Sequence, residues 1–580
     1  MAESDQDKVT YFAETDSRGK RVPFGIKSKD RLKHVYIIGK TGMGKSTILE
    51  NMAIQDIQNG NGLTFLDPHG GTAEKLLSYV PEERIKDVLY FAPFDLEHPV
   101  SFNIMEDIGM DKRHLVVSGL MSAFKKLFGE ESFSDRMQYI LQNTILALLE
   151  YPDATMLGIN RMLVDKIYRN KVIANVTDPS VKTYWTKEYA GYTERFAAEA
   201  IPAIQNKIGQ FTSNPLVRNI IGQAKSSFDL RDMMDSKKIM IVNLSKGRVG
   251  EDNANLLGSM LITKIYLAAM SRADKSGVAL SKLPNFYLYV DEFQSFANES
   301  FADILSEARK YKLNLTLAHQ YIEQMDEEVR DAVFGNVGTT IAFRVGAYDA
   351  DILEKEFAPV FLAEDLVNLG VFQIYLKLMI DGIGSQPFSA STLPPIVPPA
   401  ASYVDEIIDN SRKVFAKPKS VVEKVIIDWH EEGQIDIKAP AARATTFPST
   451  NKFVPKPAAL APSPTPASLA FTPKPVVPKP VPQPIDIRGG KSVSLEQLKE
   501  KSNNQRKPDA QHVSALRDAL KAVVGDVKTP EKQANSRALP ASGGLRRDEN
   551  LPVSPSPAPM PMSVKTGPSP EELKKILDVS

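Results

Sequence analysis

The sequence predicts an α/β fold: a parallel sheet, an all-helical insertion within it, and a proline-rich tail behind it. Three observations carry that reading. Short apolar runs alternate with helical patterns over residues 1–390, as in sheets covered by helices on both faces. One run is followed at once by Gly39-Lys40-Thr41-Gly42-Met43-Gly44-Lys45-Ser46, a complete GxxxxGK[ST] element, and then by a helical segment over 46–59. Proline divides the chain: of 40 prolines, 12 lie in 1–390 and 28 in 391–580.

Taken in order, Val35–Ile38 (VYII), 63–66, Val88–Phe91, 239–244, Phe286–Val290, 313–318 and 340–343 read as buried strands. Between the third and the fourth, residues 110–236 show helical periodicity and hardly a strand. Apolar residues recur there at three- and four-residue intervals over 114–127 and 137–149. The expected organisation is therefore a sheet domain built from 1–109 and 237–395, an inserted all-α domain at 110–236, and a helical appendage at 396–439. The tail, 440–580, is expected to be mostly disordered, because stretches such as 471–484 (FTPKPVVPKPVPQP) and 552–561 favour polyproline II and cannot build a core. Helical islands are expected within it at 494–501, 510–523 and 570–577, each with a start signal and helical spacing.

Composition narrows the chemistry. The 580 residues contain no cysteine, which removes disulfides, thiol catalysis, Fe–S clusters and cysteine zinc sites. Seven histidines remain, and none has the HExxH spacing. The start, MAESDQD, is polar and acidic, unlike a secretory signal. The most apolar stretch, 254–270, carries Lys264 in its middle, so no membrane-spanning segment is expected. Lys+Arg and Asp+Glu balance at 71 each. The split is uneven, however: residues 391–580 hold 27 against 20, net +7, leaving 44 against 51, net −7, for the first 390.

The glycine-rich element carries the clearest chemistry. Glycines let backbone N–H groups turn onto phosphate oxygens, and the following helix adds the positive end of its dipole. Gly39, Lys40, Thr41, Gly42, Met43, Gly44, Lys45, Ser46 and Thr47 are the candidate nucleotide-binding residues, with Lys45 on the β- and γ-phosphates and the Ser46 hydroxyl on Mg²⁺. At average composition about 0.02 such matches arise by chance in a chain this long. A later apolar run, 285–290 (NFYLYV), ends in Asp291-Glu292. Asp291 is the candidate second Mg²⁺ ligand, and Glu292 the candidate base that polarises an attacking water. The expected activity is ATP hydrolysis, with ATP and Mg²⁺ as cofactors.

These motifs resemble the HerA/FtsK-type ring ATPases, and most closely the coupling proteins of conjugative type IV secretion systems. The resemblance covers roughly 20–430. It rests on the GxxxxGK[ST] loop, Asp67-Pro68-His69-Gly70, Val290-Asp291-Glu292-Phe293-Gln294, Ala308-Arg309-Lys310, Gln320 and Phe343-Arg344-Val345-Gly346. It implies a RecA-like P-loop ATPase domain, Gln320 as the glutamine that reads the γ-phosphate, and Arg309 as an arginine finger reaching a neighbouring subunit, with Arg344 the second candidate. The competing reading of Arg309 is a solvated charge beside Lys310, and of Gln320 a plain strand-end amide. Asp67 and His69 follow the second strand at its C-terminal end, where ligands bind in open α/β sheets, against the alternative of a structural turn.

The resemblance further implies a homo-hexamer that moves DNA, of unassigned strandedness, into a secretion-like channel. A relaxase and channel proteins would dock through the all-α domain or the tail. The location would be cytoplasmic or peripheral at the inner face of the membrane. Two features depart from the family. Membrane-anchored coupling proteins begin with transmembrane helices, which are not expected in this sequence, and the first 390 residues are net acidic although DNA binding rests on clustered Lys and Arg. Lys207, Arg218, Lys225, Lys246 and Arg248 are the candidate channel-lining cations, each against the plainer reading of a surface charge. Two other jobs suit the same motor: HerA-like DNA processing or segregation, and secretion or pilus assembly without contact with DNA.

Overall fold

The computed structural model describes residues 7–15, 19–106, 109–298 and 300–432. The proposed tail and its three helical islands lie outside these residues, as do residues 433–439.

Among the described residues thirteen strands form: β1 (Val9–Thr15), β2 (Pro23–Lys27), β3 (Val35–Ile38), β4 (Gly62–Asp67), β5 (Val88–Phe91), β6 (Ile239–Asn243), β7 (Phe286–Val290), β8 (Leu313–His319), β9 (Thr339–Ala342), β10 (Gln373–Lys377), β11 (Met379–Ile380), β12 (Ile383–Gly384) and β13 (Phe388–Thr392). Eleven of them make one sheet in the order β2-β1-β13-β10-β9-β3-β8-β7-β4-β6-β5; β11 and β12 pair as a small hairpin. The seven strands from β9 to β5 are parallel, and these are the seven expected from the sequence. The other four are antiparallel and extend the sheet beyond β9.

The parallel strands read as unbroken apolar runs because both faces are covered. Val35 and Ile37 join one hydrophobic cluster, with the helix Lys45–Gln58. Tyr36 and Ile38 join the other, with the helices of the insertion and Glu251–Met270. The same alternation holds in β6, where Ile239 and Ile241 face one way and Met240 and Val242 the other. A charged network sits inside the first layer. Arg31 clamps Asp56 through two hydrogen bonds of 2.9 Å, from Nη1 and Nη2, and Nη2 also donates to the Tyr289 hydroxyl at 2.7 Å. Burial opposes the Arg31 charge, and Asp56 together with Tyr289 and Tyr287 more than offsets it, so the pKa is raised.

Between β5 and β6 the described residues form helices joined by loops and no strand, from Arg113–Phe128 and Asp135–Leu149 to Leu230–Asp235. Their apolar side chains share the cluster that covers the sheet. The helix Glu251–Met270, the apolar stretch with Lys264, is long and apolar enough to span a membrane, yet 72% of its most apolar window is buried inside this fold. Two amphipathic helices, Val404–Phe415 and Lys419–Glu431, close the described chain; Val422 and Ile426 of the second pack on Leu157 of the insertion.

Candidate functional site

In a parallel sheet the C-terminal strand ends share one edge, and the sequence motifs gather there. β3 runs in register with β8, Ile38 opposite His319, so the glycine-rich loop and Gln320 leave the sheet side by side. The Gly39 N–H donates to the His319 carbonyl at 3.2 Å and the Lys40 N–H to the Arg344 carbonyl at 2.9 Å, which ties the loop to both neighbouring strands. Gly44 caps the helix Lys45–Gln58 with φ +117°, and a Cβ there would stand 2.9 Å from the Phe372 ring, so only glycine suits the turn. Lys45 is buried, with Nζ donating to the carbonyls of Gly39 (2.7 Å) and Lys40 (3.2 Å). Burial lowers its pKa, and the charges of Glu292 and Asp291 partly restore it.

Across the loop stands an acidic group. Asp291 directly follows β7 and is buried; its Oδ2 accepts from the Ser46 hydroxyl at 3.5 Å, and its Oδ1 accepts the Glu292 N–H at 3.0 Å. Burial, then the nearby Asp67 and Glu292 carboxylates, push Asp291 up to about 6. Asp67 is buried at the end of β4, where it accepts the N–H groups of His69 (2.7 Å) and Ala73 (2.9 Å). It thus fixes the turn of the Asp-Pro-His-Gly segment and adds to the negative field at Asp291. Glu292 has φ +48°, uncommon for a residue with a side chain and a form of strain concentrated at working sites. Its carboxylate accepts a hydrogen bond from the Gln294 amide and lies 4.0 Å from the exposed His69 ring.

Gln320 reaches the loop directly, its Nε2 donating to the Thr41 hydroxyl at 2.6 Å. Arg344 follows β9 at the same edge and holds Lys40 through its carbonyl. Arg309 is elsewhere. It is exposed, in the turn Ala308–Tyr311 that leads into β8, at the N-terminal edge of the sheet. His34, which precedes β3, anchors that region by contacting the Leu305 carbonyl at 3.2 Å and accepting the Leu315 N–H at 3.1 Å. Lys45, Ser46, Asp291, Glu292, Gln320 and Arg344 are therefore brought together, and Arg309 is held at the far edge.

The five candidate channel cations all have partners within the chain. Lys246 pairs with Glu251 at 2.8 Å, Arg248 with Glu74 at 3.5 Å, Arg218 with Glu423 at 3.7 Å and Lys225 with Asp153 at 3.5 Å. Lys207 lies over the Phe128 ring, 4.6 Å from its centroid. Sequence reasoning missed Phe372, which is half-exposed, has φ +63° and donates its N–H to the Met43 carbonyl at 3.1 Å. It also missed His319, whose Nδ1 meets the Tyr36 hydroxyl at 2.8 Å beneath the loop. No local motif marks either residue.

A family model described as type IV secretory system conjugative DNA transfer matches residues 7–340. No curated protein matches the chain. Among solved structures, the unbound bacterial conjugative coupling protein TrwBdeltaN70 is 12% identical, over 68% of this chain and 95% of that one, with a TM-score of 0.47. The plasmid coupling protein TrwB in complex with ADP and Mg²⁺ is 14% identical, over 65% and 88%, with a TM-score of 0.47. VirB4 of Thermoanaerobacter pseudethanolicus is 13% identical, over 68% and 98%, with a TM-score of 0.46.

Proposed function

The chain belongs to the type IV secretory system conjugative DNA transfer family, and on that premise we propose that it is an ATP-driven, ring-forming DNA translocase of the coupling-protein kind. One observation carries the reading. Lys45, Ser46, Asp291, Glu292 and Gln320 converge at one sheet edge, while Arg309 stands exposed at the opposite edge, where a neighbouring copy could use it.

The residues present suit a nucleotide with Mg²⁺. A helix N-terminus, an ammonium, a hydroxyl and a carboxylate are the donor set that a triphosphate and a hard divalent cation require. Among the described residues no three His, Cys, Asp or Glu side chains converge on a metal position. Mg²⁺ would therefore be held by Ser46 and Asp291 together with nucleotide oxygens and water. The ion's chemistry is to neutralise charge on the transferred phosphoryl group.

The chain's own residues do the rest. Lys45 exchanges its loop carbonyls for phosphate oxygens. Glu292, its carboxylate held by the Gln294 amide, orients and polarises water. Gln320, now on Thr41, is placed to sense the γ-phosphate from the loop. Arg344 belongs to its own chain's site, which leaves Arg309 as the finger for the neighbour. ATP as fuel sets the motor on the cytoplasmic side of the membrane, with 110–236 as an inserted domain available to a relaxase or channel protein.

The pairing of four of the five candidate cations with in-chain carboxylates favours a second reading, a secretion ATPase that moves protein. Purified chain assayed for ATP hydrolysis alone, with single-stranded and with double-stranded DNA separates the two. Stimulation by either DNA is expected; hydrolysis indifferent to both would favour the protein-moving motor, and no hydrolysis would refute a motor of either kind.

A further inference from the structure

The segment that follows Asp291-Glu292 is gripped from the helical layer. Lys126, near the end of the insertion helix Arg113–Phe128, turns its ammonium onto the carbonyls of Gln294 (2.7 Å) and Ala297. From another side Lys246 donates to the Ser295 hydroxyl at 3.0 Å. The Phe296 ring lies so close to Gly258 of the helix Glu251–Met270 that a Cβ there would collide with it. That helix is in turn locked to the insertion: a Cβ on Gly119 would stand 2.5 Å from the Thr263 methyl. The connection ends at the reacting group, because Gln294, held through its carbonyl by Lys126, donates its own amide to the Glu292 carboxylate.

We propose that Lys126 is a positioning residue for ATP hydrolysis: by fixing the Gln294 carbonyl it sets where the Gln294 amide holds Glu292, so that a load on the helical insertion tunes turnover. The inference rests on the ATPase reading above. A charge-assisted bond to a backbone carbonyl is among the stronger single contacts a loop can receive. The grip acts on Glu292 rather than on the phosphate loop, so nucleotide affinity and turnover should separate.

The test is steady-state ATP hydrolysis by the full chain, alongside nucleotide binding, for Lys126→Met, Lys126→Arg and Gln294→Ala. Lys126→Met should lower kcat by tenfold or more while KM and ATP affinity stay within about twofold, the pattern of an interaction that matters in the transition state. Lys126→Arg, still a donor, should recover much of the wild-type rate. Lys126→Met added to Gln294→Ala should change little, since both act on one path. If Lys126→Met fails to fold, Gln294→Ala carries the same kcat-only expectation without touching the helix. A wild type that turns over ATP with Lys126→Met or Gln294→Ala unchanged, or additive effects in the double variant, overturns the positioning role alone. A wild type without turnover overturns the ATPase reading and this inference with it.

Discussion

The placement of Arg309 allows a test with a worked magnitude. β8 spans seven residues, which at about 3.3 Å per step sets its two ends roughly 20 Å apart. Lys45 and Gln320 are at one end and Arg309 is beyond the other, so Arg309 cannot reach its own chain's nucleotide. Arg309→Ala should therefore bind ATP like the wild type and lose on the order of 10³-fold in hydrolysis, the usual weight of an arginine finger. Lys45→Ala loses binding instead. Mixed in equal amounts, the two inactive proteins should form, on the proposed assembly, rings in which some sites pair an intact Lys45 with an intact Arg309 from the neighbour. Random assembly makes about one site in four complete in a closed ring, so up to about a quarter of the wild-type rate should return if sites act independently. The assay is ATPase rate against mixing ratio, with differently tagged chains to verify mixed rings. Mixed rings that stay inactive at every ratio would refute action in trans, because a finger in cis leaves one defect in every site.

Other outcomes follow from the same geometry. Glu292→Gln should keep ATP binding and abolish turnover, since the amide cannot polarise water while the Ser46–Asp291 pair remains; wild-type turnover would remove Glu292 from that role. Asp291 is raised from 3.8 to about 6, so its ionisation costs the nucleotide-free fold stability above pH 6, a cost that disappears as pH falls below the unfolded value. The two-unit shift bounds that cost at about 3 kcal/mol. Asp291→Asn should accordingly raise the Tm of nucleotide-free protein at pH 7.5 yet gain nothing from MgATP, and a lowered Tm would contradict this. Asp56→Asn leaves the buried Arg31 guanidinium without its carboxylate and should cost about 3–5 kcal/mol, read from denaturant unfolding.

Much of the sheet was legible in the sequence because burial on two faces leaves a local mark. All seven parallel strands appear as short apolar runs, and their ends fall within one or two residues of the expected ones. The antiparallel extension was not read, for a physical reason. Strands such as β10 (QIYLK) and β13 (FSAST) bury alternate residues only, and their polar positions resemble loop. β1 (VTYFAET) carries the alternation that could have revealed it, but a bulge between Tyr11 and Ala13 breaks the period.

The site divides in the same way. Residues whose placement comes from the chain's own path were readable: a strand, a turn of glycines and a helix are contiguous, so the position of Lys45 and Ser46 is marked locally, and that of Asp291-Glu292 is marked by the apolar strand before them. What sequence order could not supply is contact across distance. Lys126 stands 168 residues from Gln294, and in the sequence it is one of two adjacent lysines at the end of an amphipathic helix. Only the fold turns its ammonium onto the loop behind Glu292. Arg309 shows the converse. Its motif was visible, yet the reason to assign it to a neighbour is that the parallel sheet holds it at the edge away from its own Lys45. A trans role is thus an argument about topology, and the mixing experiment tests that topology directly.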